Sequence, residues 1–454
     1  MKTRLDSVAQ MVRDEGGQFG VSRAMFTDHE LYELEMEHIF EGNWVYMCHE
    51  SQIPKPRDFI SGWIGRQPVV ITRNNNGELC GFVNVCAHRG ATVCREKRGS
   101  RGVFTCPFHG WVYDASGKLL DIREEKGAGY PVELNKDNYG LKPVARVESY
   151  RGFVFASLIT DVASLQSYLG GSAYFLDLVT DQAPNGIEVL RGSSTYTYNG
   201  NWKLQMENGA DGYHVASVHA NYVAVVQQRE NGVSKHGLQT LTPGGVGSKR
   251  PGGFYAFENG HVVLWSQRGD PRASPNFPMQ DELIGKYGED RAFWMLGRSR
   301  NLGLYPNLFL MDSMSTQIRH FRPTGPETTE VTSYCFGPVG EPAESRRKRL
   351  RQFEDFYNAS GMATPDDLAE FQSVQEGHRA TPAAWNDLSR GASHWVQGPD
   401  ELAKKSGFPA VMSGAKIEDE GLFIVQHQAW QQRMSTAMTA NSVNQINPKP
   451  PKQS

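Results

Sequence analysis

The sequence predicts an α+β fold in two domains, a small all-β domain followed by a larger one in which an antiparallel sheet is flanked by helices. Three observations predict it. The chain has 454 residues, more than one hydrophobic core usually organises. From residue 56 to about 160 it consists of short Val-, Ile- and Phe-rich runs separated by turn residues. Beyond 160, helical patterns alternate with further strand-like runs.

Residues 27–41 read as a helix, capped by Thr27 or Asp28, with Leu31, Leu34, Ile39 and Phe40 on its apolar side. Strands follow at Phe59–Ile64, Pro68–Thr72, Leu79–Val85 and Gly102–Thr105. Turn chemistry separates them at Gly65-Arg66, Asn74-Asn75-Asn76-Gly77 and Ala115-Ser116-Gly117. In the larger domain, Ile187–Tyr198 alternates like a strand and Lys203–Tyr222 reads as one helix. Val262–Ser266, Leu304–Met311, Gln317–Arg322 and Thr329–Phe336 are strand-like and suggest one long antiparallel sheet, and Ala343–Ala359 is helical. Residues 228–255, rich in Gly, Ser and Lys, are expected to form a mobile surface loop, and the tail from Asn441 to be disordered. The expected division is an N-terminal helical segment (1–40) packed on the larger domain, the small β domain (41–160), the larger domain (161–440) and the tail (441–454).

Apolar residues make up 39% and charged residues 21% of the chain, as in soluble globular proteins. A net charge of −3 gives no general attraction to nucleic acid or anionic membrane. The basic run Arg346-Arg347-Lys348-Arg349 is flanked by Glu344 and Glu354 and reads as the solvated face of a helix. No segment approaches the roughly 20 apolar residues that span a bilayer. Met1 to Gln18 carries charges throughout and lacks the apolar stretch of a secretory signal, so a cytoplasmic location is expected.

The six cysteines are Cys48, Cys80, Cys86, Cys94, Cys106 and Cys335. A disulfide framework is not expected of them in a long cytosolic chain. Cys48, Cys80, Cys94 and Cys335 read as buried thiols in strands. Cys86-Ala87-His88 and Cys106-Pro107-Phe108-His109 instead form a pair of pairs, with seventeen residues, 89 to 105, between them. That is enough for a hairpin joining the two. Two Cys and two His could hold a tetrahedral zinc. Zinc fingers usually separate the Cys pair from the His pair, whereas each loop here carries one of each. The mixed arrangement suits a [2Fe–2S] cluster, two Cys on one iron and two His on the other.

A second constellation lies in the stretch from Glu207 to His219, with His214 and His219 five residues apart. On a regular helix they would not lie over one another, so a distortion or a helix end is needed to bring both to one metal. Asp211 precedes His214 by one turn and is placed to accept its second ring N–H. Two His and one carboxylate on one face suit non-haem Fe(II), with positions left for O₂ and substrate. The best candidate acid is in Asp366-Asp367, after Pro365, although adjacent acids there also suit a plain helix N-terminus. His49, His261, His320 and His427 have no companion pattern and read as structural.

These strings resemble the large subunits of aromatic-ring-hydroxylating dioxygenases with a Rieske cluster. Phe40 to Tyr46, His49 to Pro54, Leu190 to Tyr198 and Asn358 to Leu368 resemble the benzoate and toluate 1,2-dioxygenase branch, over about residues 20 to 435. The resemblance implies a Rieske domain and a helix-grip, START-like catalytic domain. It implies that Cys86 and Cys106 hold one iron of the cluster and His88 and His109 the other. It implies that His214, His219 and Asp367 bind a mononuclear Fe(II), that Asn208 lines that site, and that Asp211 bridges His214 to the His109 of a neighbouring subunit. It further implies hydroxylation of an aromatic acid with O₂ and electrons from NADH through a ferredoxin-type reductase, in a ring of three large subunits often joined by three small β subunits. No GxGxxG-type fingerprint is present, so the chain is not expected to bind NADH itself. One departure is Ala220, where the benzoate branch carries Trp after the second iron histidine. The missing indole is expected to free room for a bulkier acid, such as a chlorinated benzoate or an aryloxyacetate. Cleavage of chlorinated aryloxyacetates to phenols is therefore the alternative activity, and a zinc-stabilised binding module a distant third.

Overall fold

The structure, a computed structural model, describes residues 7–130, 134–228 and 250–446. The chain forms two units, Phe40–Leu165 and Met1–Ile39 with Gln166–Ser454. In the smaller unit, strand Asp58–Ile64 turns at Gly65, whose φ is +56°, into the antiparallel strand Gln67–Arg73. This hairpin is the centre of a four-stranded antiparallel sheet completed by Leu79–Val83 and Arg98–Ser100. Two three-stranded antiparallel sheets accompany it. One contains Val103–Thr105, Val112–Asp114 and Leu119–Asp121, and the other Val45–His49, Arg146–Tyr150 and Phe153–Ser157. The inward residues of the first two sheets, among them Phe59, Val70, Phe82, Phe104 and Tyr113, form one core that also takes in Cys86 and Cys106.

The larger unit is built on a ten-stranded sheet. Its order is Ile187–Val189, Thr328–Pro338, Gln317–Gly325, Leu308–Met311, Arg298–Leu304, Val262–Gln267, Gly252–Ala256, Met412–Gly414 and Val396–Gln397, with Ser194–Tyr198 also paired to Thr328–Pro338. The pairings are antiparallel. Helices Trp202–Asn208, Thr364–His378 and Gly421–Ile446 accompany the sheet, so the α+β expectation holds.

Several elements differ from expectation for identifiable reasons. The stretch Ile187–Tyr198 is two strands, Ile187–Val189 and Ser194–Tyr198, because Gly192 takes φ +99° between them. Leu304–Met311 is likewise split, into the ends of Arg298–Leu304 and Leu308–Met311, around Pro306, which cannot donate to a ladder. Lys203–Tyr222 is not one helix. Trp202–Asn208 ends, Val215–Val218 and Ala220–Gln228 follow, and the intervening backbone passes so close to its neighbours that Gly209 and Gly212 are required. A Cβ on Gly209 would lie 2.6 Å from the Phe309 ring, and one on Gly212 would lie 2.4 Å from the Ile417 carbonyl oxygen. Most of the expected loop 228–255 lies outside the described residues, but its end is strand Gly252–Ala256. The tail reading is corrected as far as Ile446. No Pro or Gly interrupts helix Gly421–Ile446 after its first residue, and the rest of the tail lies outside the described residues.

The basic run is not a wholly solvated face. Arg349 is 0% exposed, bonded to Glu341, Asn276 and Thr316, because the helix turns it inward while Arg347 stays exposed. Cys48, Cys80 and Cys335 lie on strands, but Cys94 is buried in a loop held by the Asn84 side chain. His261 is structural as expected, with Nδ1 accepting from the Tyr305 N–H and Nε2 against the Tyr168 carbonyl.

Asp28 caps helix His29–Glu35, accepting from the N–H groups of Glu30 and Leu31, and so fixes where Glu35 falls. Glu35 is 0% exposed and forms an ion pair with the equally buried Lys203. The indole N–H groups of Trp202 and Trp430 donate to the same carboxylate, each at 2.7 Å. Burial pushes the Lys203 ammonium down, and the Glu35 charge opposes that. One turn along, His427 meets Glu207 at 2.6 Å. Gln375 accepts from the Asn201 N–H at 2.8 Å and donates to the Phe26 carbonyl at 3.0 Å. Helix Trp202–Asn208 is thereby tied to three others. Glu35→Gln strands a buried ammonium, so stability should fall by about 3–5 kcal/mol. Glu35→Gln with Lys203→Met should recover much of this. Denaturant titration of the three proteins checks it, and an unchanged midpoint for Glu35→Gln would remove the pair as a determinant of the fold.

Candidate metal centres

The two Cys/His loops of the smaller unit close in the same way. The Cys86 N–H donates to the Ala91 carbonyl at 2.9 Å, and the Gly90 N–H returns to the Cys86 carbonyl at 2.9 Å. Cys106 repeats this with Trp111 and Gly110 at 2.8 and 3.0 Å. Gly90 and Gly110 take φ +76° and +74°, which is why glycine stands at the same place in both turns. Both thiols are buried, whereas His88 is exposed and His109 half-buried. The Nδ1 atoms of His88 and His109 lie 3.1 Å apart. Trp111 stacks on His88 with 8° between the planes, and the Tyr113 hydroxyl lies 3.2 Å from the Cys86 sulfur. Burial pushes the Cys86 thiol up, against the Tyr113 hydrogen bond. A bound cation would reverse this by stabilising the thiolate.

The donor set fits a two-iron cluster: two thiolates on one side and two imidazoles facing each other on the other. Among the described residues, the His, Cys, Asp and Glu set whose ligand atoms all fall within 4.8 Å of one another is His214, His219 and Asp367. The Cys/His loops do not converge in that way, as ligands of a single zinc would.

In the larger unit, His214 and His219 bracket the four-residue helix Val215–Val218, one at each end. The helix-end geometry solves the five-residue spacing: the Nε2 atoms meet at 3.3 Å. Asp367, in the first turn of helix Thr364–His378, brings Oδ1 to 3.5 Å from His214 Nε2 and 3.3 Å from His219 Nε2. Asn208 Nδ2 donates to the same Oδ1 at 3.2 Å. Asp366 points elsewhere, its Oδ2 lying 3.8 Å from His219 Nδ1.

Asp211 sits behind His214, Oδ2 at 3.2 Å from Nδ1, while its Oδ1 accepts from the Tyr213 N–H at 2.6 Å and the His214 N–H at 3.3 Å. It is thus placed by a turn rather than by a continuous helix. Burial opposes charge on His214, but the Asp211 hydrogen bond and charge outweigh it, and the group is raised. His219 is pushed down to about 4 by burial and by His214, so its lone pair is free at neutral pH. Burial pushes the Asp367 carboxyl up. Two ring nitrogens and a carboxylate oxygen turned on one another at 3.3–3.5 Å, inside the protein, fit a divalent cation between them.

The histidines without companion pattern stay out of this set. Sequence reading missed Tyr113, whose hydroxyl lies beside Cys86, and Phe356, whose ring lies 5.7 Å from that of His219. It also missed Arg319, a charge buried inside strand Gln317–Gly325. Ala220 is exposed at the start of helix Ala220–Gln228.

The family model "Ring hydroxylating alpha subunit (catalytic domain)" matches residues 188–435, and "Rieske [2Fe-2S] domain" matches residues 43–145. The chain is 52% identical to toluate 1,2-dioxygenase subunit alpha of Pseudomonas putida, covering 96% of both chains. It is 48% identical to the 2-halobenzoate 1,2-dioxygenase large subunit of Burkholderia cepacia, over 93% of this chain and 91% of that one. It is 47% identical to the anthranilate 1,2-dioxygenase large subunit of Acinetobacter baylyi, over 92% and 90%. A solved structure of naphthalene 1,2-dioxygenase with indole bound shares the fold, with TM-score 0.81 at 24% identity over 94% of each chain. With both units matched and its length spanned by such relatives, the chain belongs to the ring-hydroxylating alpha subunits of the Rieske non-haem iron dioxygenases.

Proposed function

We propose that this chain is the terminal oxygenase subunit that hydroxylates an aromatic carboxylic acid, benzoate or a substituted or halogenated benzoate, using O₂. The observation that carries the reading is the convergence of His214, His219 and Asp367 in a chain whose near relatives are named for toluate, 2-halobenzoate and anthranilate. All three names describe ring 1,2-dioxygenation of an aromatic acid. The aryloxyacetate alternative finds no support among them.

His214, His219 and Asp367 would hold the mononuclear iron, and Cys86, Cys106, His88 and His109 the [2Fe–2S] cluster. When bound, the iron supplies the O₂ chemistry and the cluster the electrons for it. The protein's own contribution is orientation. Asp211 holds His214 in the tautomer protonated on Nδ1 by accepting that N–H, which leaves the Nε2 lone pair for a metal. Asn208 holds Asp367 Oδ1 toward the imidazoles. The burial of His219 and Asp367 keeps bulk water away from the reacting centre. We further assign electron delivery to an NADH-dependent reductase, assembly to a partner small β subunit, and location to the cytoplasm. No helix of the described residues is long and apolar enough to cross a membrane.

The reading is tested by turnover of a panel of benzoates and aryloxyacetates with products identified by mass. Benzoates should give products heavier by two oxygen and two hydrogen atoms. Phenol release from aryloxyacetates alone would overturn the reading. Asp367→Ala should lose the mononuclear iron and keep the cluster's visible absorption, while Asp366→Ala should keep both. Iron and acid-labile sulfide assays separate these outcomes, and iron retained in both variants would place the third ligand elsewhere. Asp211→Asn keeps the shape but loses a charge-assisted hydrogen bond, roughly twice as strong as a neutral one. It should retain both metal centres and turn over at least about tenfold more slowly. Wild-type turnover would remove Asp211 from the machinery.

A further inference from the structure

Three arginines are buried among the described residues: Arg300, Arg319 and Arg349, at 2%, 4% and 0% exposure. Arg300 pairs with Asp312 and Arg349 with Glu341, and both gather further oxygen acceptors. Arg319 differs. Among the described residues its guanidinium has no hydrogen bond, no ion pair and no aromatic ring beneath it, and its Nε is a buried donor without an acceptor. A guanidinium cannot shed its proton to escape burial, so an anion is the missing partner.

The register says where that anion would sit. Arg319 stands opposite Phe309 on one neighbouring strand and Ser333 on the other, so the three side chains share a sheet face. The Phe309 ring packs against Gly209, the residue after Asn208, which identifies this as the face under the metal-ligand loop. Gln317, two residues before Arg319 on the same face, is fully buried, donates to Ser333 and leaves its Oε1 without a partner. The positive charge of Arg319 acts, alongside the larger effect of burial, on His214, His219 and Asp367.

The chemistry of the substrate requires a cation at this place. In a 1,2-oxygenation of an aromatic acid, the carboxylate is bonded to one of the two carbons that receive oxygen. Its anchor must therefore lie beside the metal ligands, inside the protein. A planar guanidinium matches a carboxylate with two parallel N–H donors.

We propose that Arg319 binds the carboxylate of the aromatic acid and sets the enzyme's preference for acids over neutral arenes, a role that rests on the aromatic-acid reading above. The test uses the purified oxygenase with both metal centres and its partner subunits. Calorimetric titration with benzoate and with benzamide, its uncharged analogue, is carried out on wild type, Arg319→Met and Arg319→Lys. Arg319→Met should weaken benzoate roughly 10- to 100-fold, the range of a lost charge-assisted contact. Benzamide should change by less than about threefold, and Arg319→Lys should fall between. Iron content should stay at the wild-type level. Thermal stability of Arg319→Met should be equal or higher, since no partner is stranded. Benzoate bound by Arg319→Met as by wild type, or equal losses for benzoate and benzamide, would overturn the assignment and leave the aromatic-acid reading standing. A wild-type enzyme that binds no benzoate would overturn that reading and the assignment with it.

Discussion

The buried pair of Glu35 and Lys203 is the constraint on which the larger unit depends. Neither side chain reaches water, and each would be costly alone. The carboxylate is also bonded to the indoles of Trp202 and Trp430, so that both of its oxygens accept hydrogen bonds inside the protein. These contacts join the N-terminal helix, the helix leading to Asn208 and the C-terminal helix at one point. The bond between Asn201 and Gln375 then adds the helix that carries Asp367. A metal centre drawn from distant segments needs such a frame, because ligands must be held within a fraction of an ångström by rigid elements.

Rigidity around the centre permits irregularity within it. Between Asn208 and His219 the chain abandons the helix, and each departure has a use. Gly209 and Gly212 let the backbone pass against Phe309 and Ile417 at distances that no side chain allows. The resulting turn puts Asp211 behind His214 rather than along a helix face, and the short helix Val215–Val218 places the two imidazoles at its opposite ends. An unbroken helix would have pointed histidines five residues apart in different directions.

What was legible in the sequence follows from the range of the interactions involved. The cluster loops are local: each closes on itself within six residues around one glycine, so the Cys/His strings and the glycines together announce them. The strands of the smaller unit were readable for the same reason, since Gly65 and the Asn74–Gly77 turn mark their ends. The need for a distortion near the two histidines was readable from their spacing, but its place at Gly209 was not, because the close approach that requires glycine there is to Phe309 and, at Gly212, to Ile417, residues far away in the chain. Arg349 failed likewise. Its charge looked solvated among other charges, and the Glu341 and Asn276 that receive it belong to other elements. Asp367 lay between these cases. The Asp366-Asp367 pair also suits an ordinary helix start, and only the resemblance singled out its second acid.

The buried cations extend this argument to specificity. Lys203, Arg300 and Arg349 each have an acidic partner within the chain, and their burial serves the fold. Each such pair costs desolvation that folding alone must offset. Arg319 carries the same desolvation cost without a partner among the described residues, opposite Phe309, whose ring lies against Gly209. Arg300 and Arg349 each keep an acidic partner in the chain, whereas Arg319 has none among the described residues, so its burial calls for compensation from outside the fold. Ligand binding is the compensation that this position offers, because a carboxylate arriving there meets a donor already stripped of water and fixed on a strand. The cost is then borne by the free protein and returned on binding, so that the difference falls on acids and not on neutral arenes.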